Sequence, residues 1–136
     1  MSGITDAVPA SHRDLLRAPL TAALTTVDAQ CRPQSTAVWY FVDSDGELKA
    51  STTSARQKFK NLHANPHCGL FIFDPATPFR TLEIRAEAEL TPDPDKQTVR
   101  KLAECYHVDA TMLVNAAEDR YTVTLHPRRV VANPSS

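Results

Sequence analysis

From Phe79 to Leu90 the chain reads FRTLEIRAEAEL, with Leu82, Ile84, Ala86, Ala88 and Leu90 at one parity and Thr81, Glu83, Arg85, Glu87 and Glu89 at the other. Successive side chains of an extended backbone point to opposite faces, so this strict alternation predicts a strand with one dry and one wet face. Glu83, Glu87 and Glu89 then share a solvated or interfacial face and do not form an acid/base pair.

Other segments supply partners for that strand. Leu20 to Val27 (LTAALTTV) reads as a strand with Leu20, Ala22, Leu24 and Thr26 on one face. Gln34 to Asp43 (QSTAVWYFVD) is rich in β-branched and aromatic residues and reads as one continuous strand. Asp43-Ser-Asp-Gly46 is a hairpin loop, and Glu47 to Thr52 returns from it, giving a three-strand meander. Cys68 to Phe73 (CGLFIF) is almost wholly apolar and predicts a buried strand, and Tyr121 to Ala132 predicts a last strand interrupted at Pro127. Helices are expected at Ser11–Arg17 and Ser54–His63, each capped by its serine, and from Asp93 through Tyr106, with a further turn over 111–116.

Six strands with helices inserted among them, and no β-α-β alternation, point to an antiparallel six-stranded β-barrel with peripheral helices, a mainly β (α+β) fold. A chain of 136 residues supports a single domain spanning 1–136, with about 1–10 and 133–136 expected to be loose. Fifteen Lys and Arg against sixteen Asp and Glu leave a net charge of -1, which argues against a nucleic-acid module as the default. No run of about 18 apolar residues predicts a membrane span, and the first twenty residues lack the pattern of a signal peptide. Cys31, Cys68 and Cys105 form neither a disulfide framework nor a zinc motif, and fit a reducing, cytoplasmic setting.

Three glycines cannot build a dinucleotide or phosphate-binding glycine loop, and neither a G-x-S-x-G nor an H-E-x-x-H motif occurs. His63 and His67 stand four apart, but Pro66 intervenes and spoils the shared helical face a metal pair needs, so no metal is expected.

Ser51-Thr-Thr-Ser-Ala-Arg-Gln-Lys-Phe-Lys60 gathers hydroxyls and cations where a strand gives way to a helix. Such a junction is either an anion cradle, with Arg56 able to form two parallel bonds to a phosphate and Lys58 and Lys60 acting as point charges, or a capped helix with a solvated basic face. The second informative segment is Gln34-Ser-Thr-Ala-Val-Trp-Tyr40, with the single tryptophan beside a tyrosine. Alternation sends Trp39 and Tyr40 to opposite faces, so one of them covers a flat ligand, meets a partner or packs a core of its own.

Together, S-T-A-V-W-Y-F-V-D-S-D-G-E-L followed by A-S-T-T-S-A-R-Q-K-F-K-N-L-H-A-N-P resembles the pyridoxamine 5′-phosphate oxidase-like split-barrel family, over about residues 10–132. Within it, the chain is similar to the short flavin/deazaflavin oxidoreductases that bind coenzyme F420. The resemblance implies a split β-barrel homodimer with the cofactor in a groove between subunits. FMN-binding relatives carry an arginine where this chain has Ser35, and an adjacent Arg-Lys pair where it has Arg56-Gln57-Lys58; the spaced form is similar to the F420 branch. Carried over by position, Ser51, Thr52, Arg56 and Lys58 hold the phosphate, with Lys60 and Asn61 nearby. Ser35 and the segment Thr36, Ala37, Val38, Trp39 and Tyr40 line the ring, and Arg80 and Thr81 reach it from the other subunit.

The resemblance thus implies an F420-dependent reductase that transfers hydride to an electron-poor C=C or C=N bond of a small organic substrate. Its alternatives are an FMN-dependent oxidoreductase or a non-catalytic protein that binds F420, FMN or haem, the last needing an axial ligand from His63, His67, His107 or His126. No catalytic residue is assigned; Tyr40, Tyr106 or solvent is the expected proton source.

Overall fold

A computed structural model describes residues 3–115 and 118–135. Seven strands form one antiparallel sheet: β1 (Ala22–Val27), β2 (Pro33–Val38), β3 (Phe41–Val42), β4 (Leu48–Thr53), β5 (His67–Asp74), β6 (Thr77–Pro92) and β7 (Arg120–Asn133). Their order is β2-β1-β5-β6-β7-β4-β3, so the two edges of the sheet are consecutive in the chain and the sheet curls into a half-barrel. Four helices, α1 (Ile4–Ala7), α2 (Asp14–Arg17), α3 (Gln57–Ala64) and α4 (Gln97–Cys105), lie around it. None is long and apolar enough to cross a membrane.

The count is seven because the run expected as one strand over Gln34–Asp43 breaks at Trp39 and Tyr40. β1 pairs with β2 and β3 with β4, so the expected meander is opened at that break. Ala22 faces Val38, and continuing the antiparallel register by two residues would set Leu20 against Tyr40. The hydroxyl of Tyr106 sits there instead. It accepts from the Tyr40 backbone N–H at 3.1 Å and donates to the Leu20 carbonyl at 2.6 Å, serving both groups the ladder leaves unpaired.

The long strand β6 carries the barrel. Leu82, Ile84 and Ala86 are buried as the alternation predicts, and pair inward with Leu70 and Ile72 of β5. β5 is not buried on both faces, however: Phe71 and Phe73 are each 43% exposed on the outside. Their apolar character looked like core in a short run, but only the Leu70 and Ile72 parity faces inward. β7 runs through Pro127 without interruption, because a bulge opposite Arg85 and Ala86 leaves Arg128 as the extra residue.

From Gly3 onward the N-terminal segment packs against the sheet. Ile4 and Val8 are buried in the core, and the Ile4 N–H donates to the Gly46 carbonyl at 3.0 Å. Gly46 turns the β3–β4 hairpin at φ +84, and a Cβ on Gly3 would lie 2.6 Å from the Gly46 oxygen, so only glycine fits there. Asn133 accepts a bond from the buried His12 ring at 2.9 Å, tying the chain ends together, and Ser136 lies outside the described residues.

Neither serine caps its helix. Ser11 Oγ lies 2.8 Å from His12 Nδ1 while a 3-10 turn precedes α2, and Ser54 Oγ reaches toward Asp119 while α3 starts after Arg56. Aspartates serve helix starts instead: the Asp93 carboxylate accepts from the N–H groups of Gln97 and Thr98 at the start of α4 at 2.9 and 3.0 Å, and Asp109 accepts from the Thr111 N–H at 3.0 Å. The expected turn over 111–116 appears as a 3-10 turn at Ala110–Met112, with Ala116 outside the described residues.

Tyr106→Phe is expected to destabilise the fold by about 1–3 kcal/mol, since it strands a buried N–H and a carbonyl while keeping the ring. Denaturant unfolding checks this; an unchanged midpoint would remove the hydroxyl from its place in the seam.

Candidate functional site

The break between β2 and β3 opens a cleft of about 260 Å³. Ala37, Val38 and Trp39 form one wall, Ser51, Lys58 and Arg120 another, and Val99 and Leu102 of α4 with Leu113 close it. Trp39 leaves the sheet at the break and stacks on Tyr106, with ring centroids 4.4 Å apart and planes 9° off parallel. α4 is fixed over the cleft at its start by Asp93 and at mid-length by Lys101, whose amine lies 3.0 Å from Asp43. Burial tends to raise the Asp43 carboxyl, but hydrogen bonds from Lys49 and Lys101 hold it well below the usual carboxylate range.

The cations at the cleft differ from those elsewhere. Lys58 is half-buried, and burial together with the charges of Arg56 and Arg120 holds its amine below the usual lysine value. Among the described residues, no carboxylate lies within ion-pair distance of Lys58 or Arg56. Arg120 is paired with Glu118 at 3.3 Å and donates to the Leu113 carbonyl at 2.6 Å, yet its buried Nε has no acceptor. Two cations, Lys58 and Arg120, line the cleft with Arg56 close to Lys58, and a single carboxylate pairs with the three, an arrangement that favours an anion.

Of the residues singled out by sequence, Ala37, Val38, Trp39, Ser51 and Lys58 come together here. Arg56 and Lys60 are exposed at the start of α3, and Arg56 is near enough to shift Lys58. Thr52 and Thr36 take the opposite strand parity to Ser51 and Ala37, and their hydroxyls are buried without a partner. Ser35 lies outside the cleft, its hydroxyl 2.7 Å from that of Thr25. It borders a second groove with Ala23, Phe71 and Phe73, which meets the cleft at Thr21 and Ala37.

Four residues lie elsewhere. Tyr40 is in the core, its hydroxyl donating to the Leu15 carbonyl at 2.6 Å. Asn61 is buried, donating to Thr26 and Gln34 and accepting from Gln57, and so locks α3 to β1 and β2. Arg80 is bound to Asp14, Asp74 and the Ser11 carbonyl, holding α2 to the β5–β6 turn, and its neighbour Thr81 pairs with Phe73 and Asn133. A lone basic residue early in a strand gives no sign of the two carboxylates it will meet. Conversely, Arg120, Val99, Leu102 and Leu113 were missed, because only the β4–β7 register and the docking of α4 bring them to the cleft.

Neither tyrosine is placed to give up a proton. Burial pushes the Tyr40 phenol well above its usual range and the Tyr106 phenol up to about 12, and both hydroxyls donate to backbone carbonyls. None of His63, His67, His107 and His126 lines the cleft, and no cluster of three or more metal-ligating side chains occurs among the described residues.

The family model for pyridoxamine 5′-phosphate oxidase matches residues 8–132. The chain belongs to that family. A solved structure described as an F420 reductase is 33% identical, covering 91% of this chain and 98% of its own, with a TM-score of 0.81. A conserved hypothetical protein from Mycobacterium tuberculosis is 23% identical over 97% of this chain and 89% of its own, with a TM-score of 0.76. A putative pyridoxamine 5′-phosphate oxidase from Listeria innocua is 18% identical over 85% and 89%, with a TM-score of 0.63. These last two share the fold. No protein of curated function matches the chain.

Asn61→Ala is expected to lower stability by about 2–3 kcal/mol, because it leaves buried Thr26 and Gln34 groups unpaired. Thermal or denaturant unfolding reads that loss; a stability unchanged from wild type would return Asn61 to the list of ligand contacts.

Proposed function

We propose that this family member is an F420-dependent oxidoreductase, with the cofactor's phosphate gripped by Arg56 and Lys58 and its ring against Ala37, Val38 and Trp39. The observation that carries the reading is Lys58: a half-buried amine lining the cleft, crowded by two other cations and lacking a carboxylate partner. A phosphate fits such a site, since it supplies the missing negative charge. The 33% identity to an F420 reductase over nearly the whole of both chains supports the deazaflavin over FMN, as do Ser35 and the spaced Arg56-Gln57-Lys58.

When bound, reduced F420 supplies a hydride for an electron-poor C=C or C=N bond. The chain's own part is to orient and to dry the site. Trp39, braced by Tyr106, sets one face, while Val99, Leu102 and Leu113 exclude water from the other. With both nearby phenols committed to carbonyls, the proton that completes the reduction comes from solvent. We further propose a homodimer that covers the groove of Ala23, Ser35, Phe71 and Phe73, because exposed aromatics beside small residues suit a protein partner and the groove opens into the cleft.

The test is a titration of the purified chain with F420 and separately with FMN, read by the fluorescence of the single tryptophan. Tight F420 binding with weak FMN binding supports the proposal; preference for FMN makes the chain a flavoprotein, and binding of neither overturns both. Arg56→Ala with Lys58→Ala should weaken F420 binding by about 2–4 kcal/mol.

Binding should also depend on pH. The Lys58 amine starts below its ordinary value, and a bound phosphate raises it, so binding takes up protons between the two values. Affinity is therefore expected to fall as pH rises through that window and to level off below it. Repeating the titration on Lys58→Ala should abolish that slope.

A further inference from the structure

Arg120 opens β7 with its backbone fixed on both sides: it pairs with Thr53 of β4, and its carbonyl accepts from the Asp93 N–H at 2.8 Å. Its side chain is only 14% exposed and reaches into the same cleft as Lys58. A guanidinium has five N–H donors in a rigid fork. Here one arm holds the Leu113 carbonyl and lies 3.3 Å from Glu118, the other lies 3.4 Å from the Ser51 hydroxyl, and the buried Nε has no acceptor. A nearly buried cation with an unsatisfied donor is costly unless an acceptor is brought to it. Glu118 is 36% exposed, so water reaches the carboxylate side of the pair and competes for it.

We propose that Arg120 is a phosphate ligand of the cleft, beside Lys58 on its cationic wall, and that Glu118 is its internal competitor, displaced when a phosphoryl group binds. This rests on the reading of the cleft as a phosphate-bearing cofactor site, and adds to it a third cation and an ion-pair exchange. The exchange sets a threshold on charge: a neutral ligand cannot replace the Glu118 carboxylate, whereas a phosphate meets Arg120 and Lys58 at once. The Leu113 contact survives the exchange, since a carbonyl and a phosphate oxygen can occupy different arms of one fork.

The experiment uses the full chain, titrated with inorganic phosphate at constant ionic strength and with F420, read by Trp39 emission. Glu118→Gln keeps the Arg120–Leu113 bond but removes the competing charge, so both ligands should bind about threefold to tenfold more tightly. Arg120→Gln should weaken both by about tenfold or more, with Arg120→Lys recovering part of the loss. A purely structural Arg120 predicts no tightening in Glu118→Gln. Unchanged or weaker phosphate affinity in that variant overturns the proposal, even if Arg120→Gln fails to fold. If phosphate responds as expected but F420 does not bind, the cofactor reading falls and Arg120 stands. If F420 binds but neither ligand tightens in Glu118→Gln, the Arg120 assignment falls and the cofactor reading stands.

Discussion

One hydroxyl decides how this sheet ends. The Tyr106 oxygen stands between Leu20 and Tyr40 where a backbone pair would continue the β1–β2 ladder. A phenol can bridge two strands with one accepted and one donated bond, but it holds them further apart than a ladder does. The chain therefore turns at Trp39 and Tyr40, and β3 pairs with β4 instead of β1. Trp39 is thereby left to stack on the Tyr106 ring and lines the cleft with Ala37 and Val38. α4 must dock closely for Tyr106 to reach the seam, so the Asp93 cap and the Lys101–Asp43 pair help hold the cleft open.

Charge separates the site from the scaffold. Arg80, Lys49, Lys101 and Arg128 each have a carboxylate partner, and each joins one element to another. Lys49 lies between Asp43 and Asp45 of the hairpin loop; Arg80 pins α2 to the turn after β5. Lys58 has burial without a partner. Counting basic residues in a sequence cannot distinguish these cases, because near-neutral net charge is compatible with every cation being paired. Partnering is a property of the fold, and it is what marks Lys58 as available to an external anion.

The sequence made the inward parity of β6 plain, since ten residues of strict alternation from Thr81 to Leu90 leave only one face to bury. Gly46 was legible for a similar local reason, as a hairpin loop needs a residue with positive φ. The strand break was hidden because Trp39 and Tyr40 have strong strand preference, and the group that overrides it lies 66 positions beyond Tyr40, just past the end of α4. Ser51 and Lys58 could be found from local residue types, but Thr52 and Asn61 share those types and face the interior. Strand alternation turns Thr52 away from Ser51 and into the interior. Arg120 carried no local signal at all, and enters the site only through its register with Thr53.

The commitment of both phenols has a consequence for the proposed chemistry. A hydroxyl that donates to a backbone carbonyl across a structural seam cannot be lost to a reaction without exposing that carbonyl, so Tyr106 is unsuited to proton transfer even though it borders Trp39. With both phenols committed, the site would accelerate a hydride transfer mainly by geometry: it must fix the cofactor at one end and limit the approach of the substrate at the other. The cleft is divided in that way. Its cationic wall comes from the junction of β4 with α3 and from the start of β7, whereas its apolar wall comes from α4 and Leu113. On the proposed reading, substitutions at Val99, Leu102 or Leu113 change which substrate fits while leaving the phosphate grip in place. The two tasks meet at one point, because the Arg120 side chain of the cationic wall holds the Leu113 carbonyl of the apolar wall.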